Sequence, residues 1–285
     1  MSAQLEAPAR PVPTDARVEV PGERGGWRRL PAAARYGVIV AGLIVIWQAY
    51  ISLAHVPPLL FASPLDVAKA VVADTRSGQI TTATLHTLQV LLTGMLFGAT
   101  VGFALASFAV FSRFGHDLLS VLSAVLNPLP SIAILPLAMI WFGLRPESIV
   151  FVVALATIWP VAINTDTGFR TISNTTQMAA RNLGLGGARM VTDVLLPAAL
   201  PYIITGLKAA WAFGWRTVVA AELVFGVAGS SGGLGWYINN ARYFLQTSNI
   251  FAGLIVISLL GIAVEALFTV IETRTVVKWG MKTAK

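Results

Sequence analysis

Lys208, Arg216 and Glu222 stand together in an apolar stretch that begins near Pro201. Ionisable groups in such a setting usually face a bundle interior or water and serve a function. At 1.5 Å per residue, Arg216 lies roughly 22 Å along a helix starting at Pro201, past the middle of a bilayer. Its guanidinium there would either hold an anion in transit or neutralise a buried carboxylate. Glu222 falls near the outer boundary, where an interfacial role is equally open. Other chemistry is thin. His55, His86 and His116 have no metal-ligand spacing, and no acid or nucleophile stands at a motif distance from them. No Walker A sequence exists, so ATP hydrolysis by that route is excluded for this chain. The run Gly229-Ser-Ser-Gly-Gly-Leu-Gly235 lacks the lysine and preceding strand of a phosphate loop and reads as a flexible exterior loop. With no cysteine, thiolate and disulfide chemistry are excluded.

The elements that carry these residues are set by hydropathy. Charged residues make up 12% of the 285, about half the roughly 25% usual for soluble chains. Hydrophobic residues reach 56%, and mean hydropathy is +0.74. The apolar residues come in runs of about 20, the length the hydrocarbon layer requires of a helix. An all-α polytopic membrane protein with about six transmembrane helices follows. The net charge of +7 would suggest nucleic acid in a soluble protein. Here the cations sit in the N-terminal tail, selected loops and the C-terminus, which is topology signalling and not a phosphate-binding face.

Residues 1–35, with five prolines and six arginines, have the composition of a disordered cytoplasmic tail. Residues 36–83 hold the first span, Tyr36–Leu53, and an external connection with a short amphipathic helix at Leu65–Ala73 after the Pro57-Pro58 and Ser63-Pro64 breaks. The core, 84–275, continues with spans at Thr84–Phe111, Asp117–Leu144, Ser148–Asn164, Pro201–Val227 and Ile250–Ile271. In the second, Gly94, Gly98 and Gly102 recur every four residues, which predicts a tight helix–helix seam. In the third, Pro128, Pro130 and Pro136 each remove a donor, tolerable in a bundle where the freed carbonyls meet neighbours or a wet cavity. Those prolines, with Arg216 and Glu222, are the candidate translocation path, although a merely kinked packing helix is the other reading. Residues 276–285 form a basic cytoplasmic tail. With both termini inside, fourteen Lys and Arg lie inside and four outside, which orients the chain N-in and C-in.

The longest hydrophilic interior stretch is 167–200. It contains Met178-Ala-Ala-Arg-Asn-Leu-Gly184, nine residues, then Val194-Leu-Leu-Pro197. Asn174 or Thr175 can cap a helix starting near Thr176. Met178, Ala179 and Leu183 offer a small apolar face, while Arg181 and Arg189 offer charge. Gly184, Gly186 and Gly187 allow a sharp turn before a second helix leads to Pro197. Such a short helix can sit in a groove on a soluble partner and transmit motion, or anchor the loop at the membrane interface.

Ala179-Ala180, Gly184, Leu196 and Pro197 match the permease signature of bacterial ATP-binding-cassette (ABC) importers: Glu-Ala-Ala, three residues, Gly, nine residues, Ile-x-Leu-Pro. Leu126-Asn-Pro-Leu-Pro-Ser-Ile-Ala-Ile-Leu-Pro-Leu-Ala-Met-Ile-Trp-Phe-Gly143 and Gly233-Leu-Gly-Trp-Tyr237 resemble the nitrate/sulfonate/taurine/bicarbonate branch. The resemblance runs from about Leu60 to Trp279, with one departure: Met178 stands where the signature has glutamate. It implies the type I ABC importer permease fold in a bacterial inner membrane, acting as a homodimer. It also implies ABC ATPase subunits that bind ATP and Mg, and a periplasmic or lipid-anchored binding protein that delivers a small anion. This chain would hold no cofactor. Met178, Ala179, Ala180, Arg181, Gly184 and Pro197 would couple to the ATPase. The rival class, an ATP-independent secondary transporter, needs midplane coupling residues and often internal repeats, and leaves 167–200 unexplained. A membrane enzyme lacks any constellation of acid, base or metal ligands.

Overall fold

The computed structural model describes residues 31–225 and 232–277. Most of the 1–35 tail, the start of the Gly229–Gly235 run and nearly all of the 276–285 tail lie outside them. The first helix, α1, is Ala32–Ala54 and begins four residues before Tyr36. It belongs to a unit of its own, and the remaining chain from Ala54 forms the second.

The second unit opens with α2 (Pro64–Arg76), whose Ser63 side chain accepts from the Asp66 N–H and so caps it. α3 (Gln79–Phe111) and α6 (Pro146–Arg170) then pack along the predicted glycine seam. A Cβ at Gly94 would meet the Val153 side chain at 2.7 Å and the Val150 carbonyl at 2.9 Å. One at Gly102 would meet the Ile158 carbonyl at 2.8 Å. α6 also packs on α10 (Leu200–Phe225), and Leu91, Val152, Val153, Trp211, Trp215 and Val218 fill the core that the three helices share.

The third predicted span is not one helix. It divides into α4 (Arg113–Leu126), a 3-10 turn at Ser131–Ile134 and α5 (Leu135–Phe142), with an 85° bend. Pro128 and Pro130 remove two donors two residues apart and push the residues before them out of helical geometry, so the chain turns. Pro136 has a different role. It sits in the first turn of α5, where no donor is needed.

α6 runs six residues past the expected end at Asn164. Two polar side chains near that end bond back within the helix: Asn164 Nδ2 donates to the Pro160 carbonyl and Thr167 Oγ1 to the Ile163 carbonyl, each at 2.8 Å. The hydrophilic stretch follows as α7 (Asn174–Asn182), α8 (Gly187–Met190), a π turn (Val191–Leu195) and α9 (Leu196–Ala198). Residues 187–198 meet α10 at 80°. The chain ends in α11 (Leu234–Tyr243), α12 (Thr247–Glu272) and a π turn. α11 was not expected, being short and only weakly apolar, yet Leu234 and Tyr237 are fully buried. Tyr237 Oη donates to Asp74 on α2 at 2.5 Å, and Asn249 Nδ2 on α12 donates to the same carboxylate at 2.7 Å. Burial, with the Asp74 carboxylate beside it, raises the phenol above its ordinary pKa and keeps it a donor.

Among the described residues four helices are long and apolar enough to cross a membrane, and up to six spans result if each bent pair is one. All the regular structure among the described residues is helical.

Candidate functional site

Two regions carry the predicted residues. The first is a cavity of about 430 Å³ where the α4–α5 break faces α6 and α10. Pro128 and Pro130 form one wall, Trp159 comes from α6, and Phe213, Arg216 and Thr217 come from α10. The break makes this cavity, because a continuous helix would carry its side chains past α10 instead of turning a loop toward it. Asn127 and Ser131 add polar groups to the same lining. Among the described residues no carboxylate lies within ion-pair distance of Arg216. Lys208 instead finds Glu265 of α12 at 2.5 Å. Of the two cations in this helix, Lys208 is the one with a carboxylate partner, and that partner is exposed rather than buried.

Two residues of the candidate path lie elsewhere. Pro136 lies outside the cavity lining. Glu222 is 3% exposed and holds α11 onto α10. Thr87 Oγ1 is 2.9 Å from both carboxylate oxygens, Gly235 N–H donates to Oε2 at 3.0 Å, and Leu234 N–H donates to Thr87 Oγ1 at 2.8 Å. A Cβ at Gly233 would sit 2.0 Å from Glu222 Oε1, and one at Gly235 would sit 2.6 Å from the Val219 carbonyl. These two glycines, read from sequence as part of a flexible loop, instead permit close packing of α11. A carboxylate at the start of a helix also suits the positive end of its dipole.

The second region is α7 and the turn after it. Ser173, rather than Asn174 or Thr175, caps α7: its Oγ accepts from Thr176 N–H at 3.2 Å. The helix ends in a Schellman motif, with Leu185 N–H donating to the Ala180 carbonyl and Gly184 N–H to the Arg181 carbonyl. Gly184 has φ +80°, the left-handed conformation such a motif needs. Ala180 is buried against Phe169, Met190 and Leu195 and so anchors the helix to the body. Met178, Ala179 and Arg181 are exposed on α7, as are Leu183 at its C-cap and Pro197 on α9. Met178 stands five residues after the capping serine, so the cap does not depend on the glutamate of the signature.

Gly184→Val is expected to leave membrane insertion intact while reducing recovery of the chain with any soluble partner that docks on α7. A β-branched residue is an outlier at this backbone conformation, and the strain is about 1–2 kcal/mol. Co-purification yield, normalised to chain in the membrane, measures the effect. Full recovery with full uptake would remove the role of this turn.

Among the described residues, four to six apolar spans, a cavity at a broken helix lined by Arg216, and an exposed short helix on a long polar connection suit a membrane transport permease. Residues 94–277 match the family of binding-protein-dependent transport system inner membrane components. The chain belongs to that family, and it is a multi-pass inner-membrane permease subunit of the ABC-importer class rather than an ATP-independent secondary transporter. It is 31% identical over 257 residues to the putative aliphatic sulfonates transport permease protein of Bacillus subtilis, covering 88% of this chain and 91% of the relative. It is 31% identical over 235 residues to the taurine transport system permease protein of Escherichia coli, covering 79% and 82%. The nitrate import permease protein of a Synechocystis strain is 31% identical over 183 residues, covering 64% and 65%. Permeases of this family work in general with ATPase and substrate-binding partners.

Proposed function

We propose that this permease carries a small anion past Arg216, with ATP and Mg bound by a separate ATPase that docks on α7. The observation that carries the reading is Arg216 in the α4–α5 cavity, with no carboxylate at ion-pair distance among the described residues. A guanidinium at hydrocarbon depth costs at least about 2.5–3.5 kcal/mol, and a passing anion offsets that cost. Arginine also presents a planar fork suited to the oxygens of a sulfonate or nitrate. The named substrates of the relatives, aliphatic sulfonates, taurine and nitrate, all carry such oxygens. The exposed face of Met178, Ala179 and Leu183, flanked by Arg181, fits a groove on a soluble subunit. Gly184 and Pro197 set the angles at which the connection leaves and rejoins the body. Two copies of the chain would pair, each bringing one such helix to one ATPase subunit. The cation distribution favours both termini, and α7, on the cytoplasmic side, with a binding protein delivering the anion opposite.

Reconstituted alone in vesicles, the chain is expected to move no taurine, ethanesulfonate or nitrate under any ion gradient. With its ATPase and binding protein, uptake of one of these should follow ATP hydrolysis. Gradient-driven uptake by the isolated chain overturns the reading.

A further inference from the structure

Arg170 ends α6 and stands three residues before Ser173, the cap of α7. Its guanidinium makes two contacts. Nε donates to Asp166 Oδ2 one turn earlier at 2.8 Å, and Nη2 donates to His116 Nδ1, in the first turn of α4, at 2.8 Å. A guanidinium has donors only, so Nδ1 is the acceptor in this contact. The two helices otherwise meet through Leu119 packed with Ala162 and with Ala109 of α3. Arg170 to His116 is thus the polar tie between α4 and α6 among the described residues. Arg113, Asp117 and the Asp166–Arg170 pair are the charged groups around it.

The position of this tie gives it reach. From His116, α4 runs about 15 Å to Leu126, and Asn127 and Pro128 follow directly on the cavity wall near Arg216. One helix therefore has one end fastened at the root of α7 and the other at the rim of the path. The tie also has a second arrangement at hand. Asp166 Oδ1 is buried without a hydrogen-bond partner among the described residues, so Arg170 released from His116 can close onto both oxygens of Asp166 as a bidentate pair.

We propose that His116 and Arg170 form a latch that passes motion of α7 to the broken-helix wall of the cavity. In the closed form Arg170 holds His116; in the open form it withdraws onto Asp166 and α4 swings free. A coupling route needs an element with two discrete arrangements that both sites bias, and the spare Asp166 oxygen supplies the second. Both are positioning residues, since neither touches the transported anion or the nucleotide. The latch rests on the reading of α7 as the ATPase-docking helix.

The test uses the complex of the full chain with its ATPase. The chain has no cysteine, so spin labels can be placed cleanly at Val121 and Ile163 to report α4 against α6. A second pair, at Asn174 and Ile163, reports α7. In otherwise unsubstituted chain, trapping with ATP and vanadate is expected to shift both distances. His116→Ala should lose most of the α4 shift while keeping the α7 shift. His116→Asn should retain the α4 shift, because its Oδ1 stands where Nδ1 stood. Should the alanine variant fail to assemble, Arg170→Lys serves. A lysine cannot span Asp166 and His116 together, so it too should lose the α4 shift. An α4 shift that survives in both His116→Ala and Arg170→Lys overturns the latch. So does loss in His116→Asn equal to that in His116→Ala, which would mean a packing role. Absence of any nucleotide-driven α7 shift in the unsubstituted chain refutes the docking reading itself, and the latch with it.

Discussion

Gly98→Ala is expected to lower the melting temperature of the purified chain by several degrees and to cut its membrane yield. The added Cβ would stand 1.9 Å from Thr157 Oγ1 and 2.6 Å from the Ala154 carbonyl. Thr157 can change rotamer, but the Ala154 carbonyl belongs to α6 and cannot retreat unless the helix moves. Overpacking of this kind costs about 1–3 kcal/mol, occasionally more. In a membrane the loss is concentrated, because close backbone approach supplies much of the attraction between helices. Two comparisons make the result specific. Gly42→Ala in α1, where nothing lies within 4 Å of the new Cβ, should leave the melting temperature unchanged. Thr157→Ala introduced with Gly98→Ala should recover only part of the loss, since the backbone clash persists. A Gly98→Ala chain that melts with the parent would mean that α3 and α6 are not pressed together at this point.

That seam was legible in the sequence because four-residue glycine spacing has one dominant physical use in an apolar helix. The break of the third span was half legible. Pro128 and Pro130 announced a disturbance, yet hydropathy alone joined Asp117 to Leu144, since both halves and the turn between them are apolar. Only the fold shows that the turned loop makes a wall opposite Arg216. Asn127, Trp159, Phe213 and Thr217 could not be chosen in advance for the same reason: each is ordinary in its own helix and meets the others through packing. Glu222 is the opposite case. Its charge within an apolar stretch suggests the path or an interfacial role, whereas its hydrogen bonds are with Thr87, 135 residues earlier in the chain, and the N–H of Gly235. The signal available was the glycine pair Gly233 and Gly235, which marks a close approach rather than a loose loop. On the polar connection, the spacing from Met178 to Pro197 found α7 and its turn, but placed the cap one or two residues late. Ser173 precedes two other good capping types, and only the hydrogen bond to Thr176 decides among them.

Arg216 is where stability and transport should come apart most sharply. Among the described residues no carboxylate pairs with it, so removing its charge strands no partner. Arg216→Gln is therefore expected to preserve melting temperature and assembly, and basal ATP hydrolysis by the complex should stay intact. Uptake per assembled complex should fall. A hydrogen bond to a charged group is worth about 1.5–3 kcal/mol, so the loss should be roughly tenfold to a hundredfold. Arg216→Lys keeps the charge but loses the planar fork, and should fall between the parent and Arg216→Gln. Lys208→Gln provides the contrast. It abandons Glu265, which lies on another helix, and should lower stability while leaving uptake per complex near normal. The four proteins, measured for uptake per complex and melting temperature together, place each cation on one axis or the other. Normal uptake in a destabilised Arg216→Gln complex would assign Arg216 to the scaffold and remove the anion from its side of the cavity.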